Sequence, residues 1–241
     1  MVRGYISGGN GAGGLSGLTQ LTMNQGLEYS SHCIENATQN FEVNLASASI
    51  NNTDGRSGQG GLHPGQWRFR LDNSTGRAVV QHSSAAATRM IYLGSGSWTF
   101  EVLVNFETLS TALDEYITMW GLADARSDDV ISDGVYFEYD RTNSVNFIGV
   151  TESGGTRTEV DSLIAVSTTA TTWRKLRFEI NAAATSVEFF VDGVSIGTSS
   201  TNITSNDLQF FIRADASTAT GAKNVFYLDY VYLRNELTTE V

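Results

Sequence analysis

One cysteine, one proline and a charged fraction of only 17% mark this chain of 241 residues, and each scarcity removes a class of protein. Cys33 has no partner for an internal disulfide, so no disulfide framework holds the fold, and the residue reads as a small apolar side chain rather than a nucleophile. With proline confined to Pro64, the turns must be made by Gly, Asn and Asp. Lysine and arginine number 15 against 26 acidic residues, a net charge of −11. Phosphate contact needs clustered cations, so no nucleic-acid partner is expected. No run approaches the ~20 apolar residues of a membrane-spanning helix, and the opening MVRGYISGGNGAGG lacks the apolar segment of a secretory signal. The expectation is a protein made in a cytoplasm, not exported by the general route and without a membrane partner.

The chemistry of sites is equally sparse. His32, His63 and His82 are scattered and have no cysteine partner beyond Cys33, so no zinc site is expected. His63, before Pro64, reads as part of a turn at a strand entrance. Neither a P-loop nor a dinucleotide fingerprint at a strand–helix junction is present, and no Ser-His-Asp arrangement can be read from spacing. No cofactor is expected. The sequons at Asn36, Asn51, Asn73 and Asn202 are chance matches in an Asn- and Thr-rich chain.

What the chain does contain is alternation. Trp98, Phe100, Val102, Val104 and Phe106 alternate with polar or smaller partners at period two, as do Leu176, Phe178 and Ile180, and Val187, Phe189 and Val191. After the last of these, Asp192-Gly193 supplies the positive-φ pair of a tight hairpin. The closing VFYLDYVYL, Val225 to Leu233, is apolar at nearly every position, which predicts a central strand covered on both faces. Helix is scarce: the segment 109–120 offers at most one helical turn near Ser110 to Asp114, because its second half, EYITMWGL, reads as strand. A domain of this size buries roughly 70–75% of its unfolded surface, enough to fold without staples. Residues 1–26 read as a Gly-rich N-terminal arm, either a loose terminus or an arm that orders against a neighbouring subunit, and residues 27–241 as a single β-sandwich domain.

Five segments in order carry a family resemblance: HPGQWRFR (63–70), SDGVYFEYD (132–140), TTWRKLRFEI (171–180), VEFFVDGVSIGT (187–198) and FYLDYVYL (226–233). Together they resemble the concanavalin A-like lectin/glucanase superfamily, in particular the sandwich domains of bacteriophage structural proteins. The resemblance covers most of residues 60–234. It implies an all-β, two-sheet antiparallel jelly-roll sandwich with very little helix, whose concave face binds glycans in many relatives. It carries over no activity.

Glucanases of this fold take their carboxylates from one strand as E-x-D-x-x-E, and hydrolysis needs two of them flanking the bond. Glu138 and Asp140 share a face here, but the third position is Asn143, so no catalytic residue is assigned and the chain is expected not to be an enzyme. Relatives also hold calcium in acidic loops. Asp124, Asp128, Asp129 and Asp133 could supply oxygen ligands, but without the fixed spacing of a calcium loop they read as a solvated acidic segment, and no metal ligand is assigned. Trp67, Trp98, Trp120 and Trp173 are expected in the core; Tyr136, Tyr139 and Phe147 are the first places to look for an exposed sugar platform. The functional expectation is a non-enzymatic phage virion protein, a capsid decoration (cement) protein docking on the major capsid protein, with self-association as a homo-oligomer such as a trimer. The alternatives are a glycan-binding module and a tail-fibre receptor-binding component.

Overall fold

The computed structural model describes residues 28–32, 42–53, 66–73, 75–81, 91–124, 130–169, 171–217 and 221–237. Cys33, Asn36, His63, Pro64, His82, Asp128, Asp129 and the 1–26 arm lie outside them. In chain order the strands are β1 (Glu28–His32), β2 (Glu42–Ala46), β3 (Ala48–Thr53), β4 (Gln66–Leu71), β5 (Arg77–Gln81), β6 (Gly96–Phe106), β7 (Tyr116–Ala123) and β8 (Gly134–Asp140). They continue as β9 (Asn146–Ser153), β10 (Thr156–Ala165), β11 (Arg174–Ile180), β12 (Val187–Val191), β13 (Val194–Ser199), β14 (Gln209–Ala216) and β15 (Lys223–Leu237). No helix occurs among the described residues, so none there is long and apolar enough to cross a membrane.

Two antiparallel sheets face each other. One has eight strands, ordered β13-β12-β11-β6-β15-β4-β3 with β1 also pairing β15, and the other has seven, ordered β10-β9-β8-β7-β14-β5-β2. This is the jelly-roll sandwich that the family resemblance implies, and the register shows how the alternating strands build it. Trp98, Phe100, Val102, Val104 and Phe106 all turn inward from β6, each opposite an inward neighbour such as Ile180, Phe178 or Leu176 on β11. Rings from both sheets interlock in the middle: Phe106 meets Trp120, Tyr139 and Phe147 of the opposite sheet at centroid distances of 5.8, 5.3 and 6.1 Å. Phe189 packs so closely over β9 that a Cβ at Gly149 would lie 2.5 Å from its ring, so that position has room only for glycine. Trp67, Trp98 and Trp120 are buried as expected, whereas Trp173, just before β11, is only half-buried.

The turns follow their chemistry. Asp192 and Gly193 take φ of 54° and 82° in the β12–β13 hairpin, and the Asp192 carboxylate accepts from Arg174 Nη1 at 2.6 Å and the Lys175 backbone N–H at 2.9 Å, tying that turn to the start of β11. Gly154 and Gly155, at φ of 58° and 76°, turn β9 into β10 in the same way. The segment 110–114 contains no helical turn. Thr111 and Asp114 instead exchange both backbone hydrogen bonds across a tight turn, because the strand formers that follow pull the chain straight into β7. At one side of the sandwich hydroxyls join the two sheets: Thr151 of β9 to Ser199 of β13, and Thr158 of β10 to Thr201 just beyond β13, each 2.7 Å apart.

Candidate functional site

Strand periodicity places Glu138 and Asp140 together on the outer face of the seven-stranded sheet, the face away from the core, alongside Tyr136. What surrounds them is not a hydrolytic pair. Glu138, 2% exposed in its side chain, receives two hydrogen bonds from Arg157 of β10, 2.7 Å from Nη2 and 3.3 Å from Nη1. Arg157 also pairs with Glu159 at 3.0 Å. Burial pushes the Glu138 carboxyl above its ordinary value, and the guanidinium offsets part of that shift. For Arg157, burial opposes the charge, but the bond to Glu138 and the neighbouring Tyr136 and Glu159 outweigh it and hold the guanidinium above its ordinary range.

Asp140 is committed elsewhere. Its Oδ1 accepts from the Thr142 backbone N–H at 2.9 Å and from the Thr142 hydroxyl at 2.7 Å, which starts the turn after β8. Asn143, where the family pattern has its second glutamate, sits in that turn and donates from Nδ2 to Glu159 at 3.1 Å. Glu152 is a further carboxylate of this face and accepts the Tyr136 hydroxyl at 2.7 Å. It stands opposite Gly134, four residues along from the partner of Glu138, or roughly 13 Å at the ordinary strand rise.

The acidic loop resolves into structural bonds. Asp124 Oδ1 accepts the backbone N–H groups of Ser132 and Asp133 at 3.0 and 3.1 Å. Asp133 is buried and accepts from the Thr204 hydroxyl at 2.6 Å, Asn206 Nδ2 at 2.9 Å and the Gly154 N–H at 3.2 Å. Burial works against the Asp133 charge, but these donors, with Ser153, outweigh it and hold the carboxyl below its ordinary value. The described carboxylates of this segment are therefore used to pin loops to one another, and no group of metal-ligating side chains occurs among the described residues.

Tyr136, Tyr139 and Phe147 do not form an exposed platform: all three are 2% exposed or less. Tyr139 and Phe147 point into the core around Phe106, and Tyr136 packs edge-on against Phe211, 6.0 Å between centroids, on the outer face. Their strands alternate correctly, but both faces of the seven-stranded sheet are buried at this point, which alternation by itself does not reveal.

Three half-exposed aromatics, Phe190, Tyr230 and Tyr232, lie on the outer face of the other sheet. Phe190, Arg177, Glu101 and Tyr232 stand in one cross-strand row over β12, β11, β6 and β15. Lys175, Leu103 and Tyr230 form the next row. The Arg177 guanidinium lies 4.1 Å from the Phe190 ring centroid and pairs with Glu179 at 2.8 Å, Lys175 approaches Glu101 at 3.8 Å, and the Tyr230 hydroxyl donates to Glu101. All of these residues except Phe190 and Leu103 can present a polar group, and every member of the two rows is partly accessible. The sequence expectation for Val225 to Leu233 holds for its first half and needs correcting for its second: β15 is central in its sheet and buried at every position from Val225 to Asp229, but beyond that its outer face opens and Tyr230 and Tyr232 are partly accessible. The signal for this surface was present in the polar half of KLRFE and in the tyrosines of YVY, whose hydroxyl ends suit a half-wet face.

A family model described as SO2946-like, C-terminal domain, matches residues 65–229. Among solved structures, the chain is similar to the protein of unknown function SO2946 from Shewanella oneidensis MR-1, with TM-score 0.63, 15% identity and 92% of each chain covered. It is similar to the carbohydrate recognition domain of Emp47p, with TM-score 0.60, 14% identity, and 87% of this chain and 96% of that one covered. It is also similar to the carbohydrate esterase vb_24B_21 from Shiga toxin-encoding bacteriophage phi24B, with TM-score 0.54, 10% identity, and 86% and 97% covered. Among curated proteins, none matches in sequence. At these identities the structural likenesses establish a lectin-type sandwich fold.

Proposed function

The chain belongs to the SO2946-like C-terminal domain family, and from that premise we propose that it is a non-enzymatic glycan-recognition module. The observation that carries this reading is the Phe190–Arg177–Glu101–Tyr232 row, half-exposed on a sheet of a lectin-type sandwich. Ring faces stack on the apolar face of a sugar, and the neighbouring carboxylate and guanidinium bond its hydroxyls. The similarity to a carbohydrate recognition domain supports the reading. The absence of catalysis is supported by Glu138 being held by Arg157 and by Asn143 standing in a turn. The test is a glycan array followed by titration of the best ligand. Phe190→Ala and Tyr232→Ala are expected to weaken binding by roughly tenfold or more each, about 1.4 kcal/mol per decade, with thermal unfolding little changed. Full affinity in both variants would move the site elsewhere. On a panel of β-glucans and alginate no turnover is expected, and turnover abolished by Glu138→Gln would overturn the non-enzymatic reading.

A second reading concerns the setting, and the similarity to a bacteriophage esterase favours it. The module would be worn on a phage particle, as a decoration protein on the major capsid protein or as a tail-fibre component. A homo-oligomer such as a trimer would then convert weak single contacts into avidity. Co-sedimentation with undecorated capsids at physiological salt is the measurement. The protein remaining in the supernatant at all concentrations would remove the capsid role while leaving glycan binding standing.

A further inference from the structure

The chain has two lysines, Lys175 and Lys223. Lys175 is an ordinary surface residue, but the Lys223 side chain is 4% exposed, a rare state for lysine. Its ammonium nitrogen lies against Oδ1 of Asp114, yet it makes no hydrogen bond in that position. Amine and carboxyl are nonetheless in direct contact as an ion pair. The ring of Tyr116, itself 0% exposed, lies 5.8 Å from the amine and screens it from the core side.

Both partners are anchored through their backbones, although the Asp114 side chain is 31% exposed. Asp114 closes the turn in which it and Thr111 exchange both backbone hydrogen bonds, at 3.2 and 3.1 Å. Lys223 is the first residue of β15 and pairs with the buried Leu71 of β4. Two reacting groups held in contact by a rigid frame react as though at very high concentration, because the entropy of bringing them together has been spent in folding.

We propose that Lys223 and Asp114 condense into an intramolecular isopeptide bond. The pair already holds every atom required. Proton transfer from the Lys223 ammonium to the Asp114 carboxylate gives a neutral amine and a carboxylic acid. The amine lone pair then attacks the carboxyl carbon, a C–N bond forms, the C–OH bond breaks, and the hydroxyl leaves with one amine hydrogen as water. No oxidant, metal or co-reactant enters. The product is an amide that ties the connection between β6 and β7 to the start of the last strand. It closes a long loop, which restricts the unfolded chain and so favours the folded one.

The experiment is intact-mass measurement of the denatured full chain after incubation of the folded protein, combined with amine labelling in denaturant. The expected result is a mass lower by one water, labelling at Lys175 and the N-terminus but not at Lys223, and a branched tryptic peptide containing Asp114 and Lys223. Asp114→Ala should restore the unmodified mass and the Lys223 label. A wild-type chain at its linear mass, with Lys223 fully labelled, overturns the proposal. The wild-type digest decides even where Asp114→Ala fails to fold.

Discussion

Phe106→Ala is expected to destabilise the fold by about 3–5 kcal/mol, the range for removing a fully buried large ring. Phe106 belongs to the eight-stranded sheet, but its ring is surrounded by Trp120, Tyr139 and Phe147 of the seven-stranded sheet and by Phe226 of its own. Truncation therefore removes contacts between the layers and leaves a cavity that rigid neighbouring rings cannot collapse to fill. Each edge-to-face pair contributes roughly 0.5–1.5 kcal/mol beyond area burial, so Phe106→Leu should recover only part of the loss. Urea unfolding checks this, with a lower midpoint at an unchanged slope. Leu113→Ala, at a side chain 81% exposed, should stay within about 0.5 kcal/mol. Equal losses at the two positions would show that the interlocked rings do not hold the layers together.

Arg157→Ala has the second large effect, and its pH dependence identifies the cause. The substitution leaves Glu138, 2% exposed, without the guanidinium that offsets its burial. Breaking a fully buried pair costs about 3–5 kcal/mol. Arg157 itself is 34% exposed, so solvent screening lowers the expected loss to about 2 kcal/mol at neutral pH. Glu138 already has its folded pKa above the unfolded value, and losing Arg157 raises it further. For a raised acid the favourable contribution is fully present below the unfolded value, near 4.5, and is lost as pH climbs through the folded value. The variant's deficit should therefore shrink on moving from neutral pH into mild acid. Adding Glu138→Gln should recover much of the loss at neutral pH by removing the charge. A deficit that does not change with pH would mean that Arg157 acts through packing of its aliphatic stem instead.

The seven-stranded sheet shows where sequence reasoning stops. Glu138 and Asp140 were assigned to a common face from their spacing alone, and they share one. That Arg157 reaches Glu138 was not legible, because the residues are joined only through the register of β8, β9 and β10. Tyr136, Tyr139 and Phe147 were attractive as a platform because an aromatic beside polar residues looks accessible in one dimension. Burial on both faces of the sheet removed them. The Phe190–Arg177–Glu101–Tyr232 row is the reverse case: its members lie in four separate strands and become neighbours only by pairing.

By itself the sequence determined the strand positions of β6, β11 and β12, the inward set of each, the Asp192-Gly193 hairpin and the near absence of helix. These follow from period-two alternation and from backbone φ, which are local properties that no distant contact has to supply. It also determined that the glucanase carboxylate set is incomplete at Asn143. Only the tertiary structure decided which outward face is buried and which is half-open, that Asp124 and Asp133 tie loops together, and that Lys223 meets Asp114. Apart from the local Asp124 bonds, each of these depends on groups far apart in the chain, and their proximity is set by cross-strand register and by the packing of one sheet on the other.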